Sequence, residues 1–251
     1  MIINKSGRRP ILLVLRAETK RSKSPPSEIL EKFNVIELRI LKPLPVIEEI
    51  EKARVCEECD VAIFMSSIAV DIAYRYGVIP KARHVLAVGP DTALSIRTLL
   101  GVNNVKIPRN YTSLGIVELV RELSKECDSI RVVNVYRSAH GSSTIFTELG
   151  KSLKIREFRI YKLLPDEEYL GIASSILDRT AIIVFMSSLI VQTFVKHVGV
   201  EKIRDKTIIV PGPECANACH GLGLANVIVA ENADMGSIYR TVLRLVGQCS
   251  R

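Results

Sequence analysis

The chain has no tryptophan, and phenylalanine and tyrosine together make up only 5% of it. A platform on which nucleic-acid bases stack is therefore poorly supported. Histidine is also scarce, with four in 251 residues and none at metal-ligand spacing, which argues against a metal site. No P-loop is present and no Gly-x-Gly-x-x-Gly follows a strand-like run, so a nucleotide cofactor is not expected. His220-Gly-Leu-Gly223 precedes a strand instead of following one, the wrong context. The longest uncharged segment, 180–195, is too short and too serine-interrupted to cross a bilayer. Met1 to Pro10 is basic and lacks the apolar core of a signal peptide. A cytoplasmic protein with neither nucleic-acid nor membrane partners is expected. Six cysteines without a secretory signal do not point to a disulfide framework.

What the chain does contain is a repeat. Ala62-Ile-Phe-Met-Ser-Ser-Ile-Ala-Val70 returns as Ile183-Val-Phe-Met-Ser-Ser-Leu-Ile-Val191, an offset of 121. Each copy begins as a β-branched apolar run, the signature of a strand buried on both faces. Each then turns polar at a serine pair able to cap a following helix. Val35-Ile-Glu-Leu-Arg-Ile-Leu-Lys-Pro-Leu-Pro45 matches Ile155-Arg-Glu-Phe-Arg-Ile-Tyr-Lys-Leu-Leu-Pro165, and Arg16 matches Arg137. Ala87-Val-Gly-Pro-Asp-Thr-Ala93 matches Val210-Pro-Gly-Pro-Glu-Cys-Ala216, and Gly115 matches Gly236, all at offsets of 120 to 123. The chain reads as a duplicated α/β unit. Strands are expected at 11–16, 35–41, 61–65, 84–89, 104–108, 131–136, 155–163, 181–186, 207–212 and 226–230. Helices separate them, the first over 25–33 with Ser24 as its cap. Strands alternating with helices argue for parallel sheets.

The candidate binding residues are the repeated polar positions at strand ends and helix starts: Arg16, Ser66, Ser67, Gly89, Thr92, Thr112, Ser113, Arg137, Ser138, Ser187, Ser188, Gly212 and Gly236. In open α/β sheets ligands bind at that edge, and helix N-termini there favour negative charge. Any one of these residues could merely cap or turn; their recurrence in both halves favours a ligand cleft. A formal net charge of +8 fits an anionic partner, and a small polyanion suits the composition. Cys56-Glu-Glu-Cys59 has redox or metal spacing but no second pair, and reads as incidental. Cys215-Ala-Asn-Ala-Cys219 reads as a helix packed on the sheet. Tyr161 replaces the Leu41 of the first half at the exit of a strand. It reads equally as a core tyrosine or as a neutral phenol placed to donate a proton.

These motifs resemble the uroporphyrinogen-III synthase family. It is marked by a strand ending in Phe-Thr-Ser, a Gly-Pro-x-Thr-Ala helix start and a Thr-Ser-x-Gly-Leu segment, all duplicated. Here they stand as Phe64-Met-Ser-Ser-Ile-Ala-Val70, Gly89-Pro-Asp-Thr-Ala93 and Thr112-Ser-Leu-Gly-Ile116; Met replaces the threonine in both halves, and Cys215 replaces it in the second helix start. The resemblance implies a cofactor-free lyase that closes hydroxymethylbilane, a polycarboxylate, with loss of water and inversion of the last pyrrole ring; a monomer is expected. It implies two α/β domains, residues 1–41 plus 166–251 and residues 46–160, joined by a two-stranded linker at about 42–45 and 161–165. It also places on Tyr161 the tyrosine proposed to assist departure of the hydroxyl group. The competing reading is a non-catalytic two-domain sensor for a small polyanion, which fold alone does not exclude.

Overall fold

The computed structural model describes residues 9–17, 24–56, 58–126 and 129–248. Strands and helices alternate throughout. In order, β1 (Ile11–Ala17), α1 (Ser27–Lys32), β2 (Asn34–Pro45), α2 (Ile47–Arg54), β3 (Cys59–Phe64) and α3 (Ser67–Arg75) come first. β4 (Ala82–Ala87) leads into α4 (Pro90–Ser95), which continues as a π turn over Ile96–Leu100. Then come β5 (Val105–Lys106), α5 (Ser113–Glu126), β6 (Val132–Ser138), α6 (Thr144–Leu149) and β7 (Lys154–Pro165). The chain ends with α7 (Glu167–Ser175), β8 (Thr180–Phe185), α8 (Ser188–Val198), β9 (Thr207–Val210), α9 (Pro213–Gly221), β10 (Val227–Val229) and α10 (Met235–Gln248).

The chain divides into two compact units, one formed by residues up to Lys42 together with those from Leu164 onward, the other by Pro43–Leu163. It passes from the first to the second inside β2 and returns inside β7. In the first unit the strand order is β10-β9-β8-β1-β2, and every pair among them is parallel. In the second the order is β7-β6-β3-β4-β5, again parallel throughout.

The strands form because both of their faces are covered. Along β3, Val61 and Ile63 point into a cluster with Ile116, Val120 and Val135, whereas Ala62 and Phe64 point into one with Val70, Ala73 and Tyr136. Phe64, Tyr136 and Phe158 stack in series at 4.7 and 5.3 Å, each contact adding about 0.5–1.5 kcal/mol beyond area burial. In the first unit Leu12, Val14, Ile182, Val184 and Ile209 meet Ile29, Ile238 and Val242.

Several local expectations change: β5 spans only Val105–Lys106, β9 ends at Val210 because Gly212 is the N-cap of α9, and β10 spans Val227–Val229. Ser24 does not cap the first helix: Pro26 is its N-cap, and its carbonyl accepts from Ile29 and Leu30 N–H at 3.1 and 3.2 Å. β4 ends at Ala87, since Gly89 already serves as N-cap of α4. β2 continues past residue 41 to Pro45. A proline can occupy a strand position whose N–H has no partner to meet, and beyond Pro45 the Val46 N–H donates to the Ile160 carbonyl at 3.0 Å.

Candidate active site

In the second unit β6, β3 and β4 end side by side, and their C-terminal ends carry Ser138, Ser66 and Gly89. Ser66 is the N-cap of α3, extended at φ −166° and ψ 158°, and its hydroxyl accepts the Ala69 N–H at 3.0 Å. The same oxygen lies 2.8 Å from the Tyr161 hydroxyl, and either can donate.

A bulge aims that tyrosine. Tyr136 pairs with Phe158 but Ser138 with Tyr161, so β7 carries one residue more than β6 over this step. Tyr161 is 3% exposed. Burial raises its phenol above the ordinary range, against the hydrogen bond from Ser66, the charge of Arg137 and the hydroxyl of Ser138. The result is a phenol that stays neutral at pH 7, held by two hydroxyls at a strand end. It is a core tyrosine whose hydroxyl is nonetheless hydrogen-bonded at the strand end.

Arg137 is buried beside it. Its guanidinium pairs with Glu157 at 2.9 Å, donates from Nε to the Ser138 carbonyl at 3.3 Å, and donates from Nη1 to the Ser142 carbonyl. Burial lowers its pKa, opposed chiefly by the Glu157 carboxylate. The loop 139–143 folds around this cation, and a Cβ on Gly141 would overlap Nη2. The loop is fastened elsewhere too: Ala139 N–H donates to the Tyr161 carbonyl at 2.8 Å, His140 N–H to Ser138 Oγ at 3.2 Å, and Leu163 N–H to His140 Nδ1 at 3.5 Å. Ser142 Oγ donates to Ser113 Oγ at 3.3 Å. Arg137 thus organises the loop around Tyr161 through Nε and Nη1.

The structure therefore joins Ser66, Ser113, Arg137, Ser138 and Tyr161 through hydrogen bonds. Ser67 opens α3. Thr112 accepts the Gly115 N–H at 3.1 Å as the cap of α5. Gly89 caps α4 under Tyr111, whose side chain lies 3.5 Å from where a Cβ on Gly89 would stand, while Thr92 is buried within that helix. Arg16, Ser187, Ser188, Gly212 and Gly236 belong to the other unit. There Arg16 faces Glu37 at 3.6 Å, Ser187 caps α8 by accepting from Ile190 N–H at 3.4 Å, Ser188 opens that helix, and Gly212 caps α9. Gly236 lies in the first turn of α10, where Asp234 accepts the Ser237 N–H at 3.0 Å.

The sequence reading missed Tyr111, His140, Gly141 and Ser142. The one legible signal for the last three is the small polar run Ser138-Ala-His-Gly-Ser-Ser143 at the end of a strand. Tyr111 is 59% exposed at the end of the same sheet. Among the described residues no helix is long and apolar enough to cross a membrane.

Comparison with known proteins bears on this site. The family model described as uroporphyrinogen-III synthase HemD matches residues 32–240. The crystal structure of uroporphyrinogen-III synthetase from Helicobacter pylori 26695 is similar at a TM-score of 0.61 and 13% identity, covering 95% of this chain and 100% of that one. A mutant uroporphyrinogen III synthase from the extremely thermophilic bacterium Thermus thermophilus is similar at a TM-score of 0.58 and 14% identity, covering 94% of this chain and 99% of that one. No curated protein matches the sequence.

Proposed function

The chain belongs to the uroporphyrinogen-III synthase family, the cyclising lyases of tetrapyrrole biosynthesis, and we propose that in this member Tyr161 is the proton donor of the reaction. The reaction closes hydroxymethylbilane to uroporphyrinogen III, with loss of water and inversion of ring D. The observation that carries the assignment is the 2.8 Å hydrogen bond between Tyr161 and the helix cap Ser66.

The proton inventory is simple. The phenol protonates the departing hydroxyl group of the bilane, water leaves, and the pyrrole chain takes up the positive charge as an azafulvene. Ring D attacks that cation through the α-carbon that already carries its methylene bridge. The old bond between that carbon and the bridge then breaks and leaves the bridge as a second azafulvene cation. Ring D attacks this cation through its other α-carbon, so the macrocycle closes with ring D inverted, and the proton lost as that pyrrole regains aromaticity returns to the phenolate. Net release is one water. While the phenolate exists, Ser66 and Ser138 can donate to it, and the cation of Arg137 lowers its energy. The bilane stabilises its own cation, so the protein's larger task is to hold the chain in the conformation that leads to inversion. The substrate's eight carboxylates suit strand ends rich in helix N-termini on a chain of formal charge +8. The named serines, glycines and threonines, with Arg16 and Arg137, serve in this reading as the groups that position it.

The same reading takes the two units as one duplicated α/β plan, residues 1–41 plus 166–251 and 46–160, joined by strand segments at about 42–45 and 161–165. The matched caps and ion pairs of the two units support it. A monomer in the cytoplasm completes it, and light scattering on the purified protein tests the first of these. The decisive experiment supplies enzymatically generated hydroxymethylbilane and separates the porphyrin isomers after oxidation. Type III product should predominate without added metal or nucleotide, and apparent affinity should fall as salt rises. An isomer mixture identical to the protein-free control would defeat the proposal.

A further inference from the structure

The end of the second unit opposite Tyr161 holds polar groups that the reaction does not use. Cys59 is the first residue of β3, and Cys56 lies just beyond the end of α2. Two donors converge on Cys56 Sγ, the Arg156 guanidinium at 3.3 Å and the Asn134 amide at 3.7 Å. Asn134 is itself 2% exposed, and its Oδ1 has no hydrogen-bond partner among the described residues. Tyr136 is buried in the same cluster and its phenol is driven upward by that burial, with both cysteines near enough to add to the effect. Beside Cys59 opens a pocket of about 440 Å³ lined by Glu58, Asp60, Lys81, Ala82, Arg83 and Val132.

The strand residues of the other unit that match Asn134, Arg156, Tyr136 and Phe158 are all apolar. Asn134 pairs with Arg156 in register as Leu13 pairs with Ile36, and Tyr136 with Phe158 as Leu15 with Leu38. The fold therefore accepts aliphatic side chains at these positions. Burying an amide there has a desolvation cost that packing alone does not demand.

We propose that Cys56 and Cys59 form a dithiol site for exchange with low-molecular-weight disulfides that carry carboxylates, glutathione disulfide being the probe. Cys56 is the partly exposed thiol, and two N–H donors are directed at its sulfur, so it is the thiol placed to attack. Its sulfur attacks one sulfur of the glutathione disulfide and releases one glutathione thiolate, leaving a mixed disulfide on Cys56. Cys59, whose thiol burial pushes up to about 11, then gives its proton to solvent and attacks Cys56 Sγ, releasing the second glutathione. Two protein thiols are oxidised by two electrons, and one glutathione disulfide is reduced to two thiols. The pocket is of small-molecule size, and Lys81 with Arg83, the latter 3.9 Å from Asp60, offers cations to the carboxylates of the bound tripeptide beside the carboxylates of Glu58 and Asp60.

The test uses the full-length reduced protein with glutathione disulfide, alkylation of the remaining thiols, and peptide mapping by mass spectrometry. The expected result is loss of two thiols per chain, with Cys56 and Cys59 joined to each other and the other cysteines alkylated. Cys59→Ser should stop at glutathione on Cys56, and Arg156→Gln should slow the first step but not the second. Glutathione mapped to another cysteine, a wild-type mixed disulfide that never resolves, or equal rates in wild type and Cys56→Ser would each overturn the proposal.

Discussion

The two units carry the same ionic frame but different polar contents. In one, Glu37 lies between Arg16 and Arg39 at 3.6 and 4.0 Å; in the other, Glu157 lies between Arg137 and Arg159 at 2.9 Å from each. Both strand pairs bulge at the residue after that frame, where Ala17 meets Leu41 and Ser138 meets Tyr161. Ser66 and Ser187 cap their helices at nearly the same backbone angles. Only the second unit then adds a phenol and a second hydroxyl to its cap. Frame and site are thus separable: the ion pairs and caps hold either strand end together, and the Leu-to-Tyr and Ala-to-Ser differences place hydroxyls at one end only, the end proposed to donate the proton.

The comparison breaks most sharply at that difference. Tyr161→Phe keeps the ring and removes the hydroxyl. Turnover should fall about 100-fold, the lower end for general-acid assistance, because water can substitute as donor; KM should change little. Leu41→Ala, at the mirrored and equally buried position, should cost about 2–5 kcal/mol of stability and leave turnover per folded molecule intact. Equal turnover losses in the two variants would show that the position matters for packing, not chemistry. The raised phenol also sets an alkaline limit. Because the folded state holds this proton more tightly than the unfolded chain, Tyr161 costs nothing below the ordinary tyrosine value of about 10 and weakens the fold as pH rises above it. Denaturation followed against pH should show less alkaline loss in Tyr161→Phe than in wild type.

The ion pairs come next. Arg137→Met removes a buried cation together with its contacts to Glu157, the Ser138 carbonyl and, in the loop 139–143, the Ser142 carbonyl, while Glu157 keeps Arg159. A loss of about 3 kcal/mol is expected in denaturant titration. Arg16→Met, at a looser pair whose side chains are 15% and 19% exposed, should cost about 1 kcal/mol or less. Matching losses would mean that the loop anchoring is worth nothing.

Much of this plan was legible in the sequence, for definite reasons. Val61–Phe64 and Ile182–Phe185 read as strands because both faces are buried, which leaves no polar alternation to confuse them. Ser66 and Ser187 read as caps because a serine between an apolar run and a helical period has few other uses. Spacing carried no information on which way a long side chain turns. Arg137 was legible as a repeated cation, but its engagement with Ser142 and Glu157 was not. The hydrogen bond from Ser66 to Tyr161 joins residues 95 positions apart, and only the order of β7, β6 and β3 brings them together. Cys56 and Cys59 read as incidental because Asn134 and Arg156, the groups that make them a cluster, come from two other strands.

Glycines give the third contrast. Gly115 and Gly236 hold matched places near the starts of α5 and α10, but a Cβ on Gly115 would overlap the backbone carbonyl of Asn110. A Cβ on Gly236 would meet the Asp234 carboxylate at 3.0 Å, a side-chain oxygen with some room to shift. Gly115→Ala should therefore cost about 1–3 kcal/mol and loosen the segment under Tyr111. Gly236→Ala should be closer to neutral, since alanine also gains about 1 kcal/mol in helix propensity. Thermal unfolding of the pair measures the difference, and equal effects would show that helix propensity outweighs the contact.

The smallest contrast is between the two caps. Ser187→Ala removes one acceptor, from a bond of 3.4 Å, and should cost about 1 kcal/mol or less. Ser66→Ala removes a better cap at 3.0 Å together with the partner of the Tyr161 hydroxyl. The phenol would still face Ser138, so it would not be stranded, and about 1–2 kcal/mol of stability should be lost. Turnover separates the two variants more clearly than stability does. A donor that has lost one of its two hydroxyl partners should work several-fold more slowly in Ser66→Ala, whereas Ser187→Ala should reduce turnover only as far as it unfolds the protein. Ser66→Thr restores a hydroxyl at the cap and should recover part of the rate. If it recovers stability but none of the turnover, Ser66 acts on α3 alone and Tyr161 gives up its proton without its help.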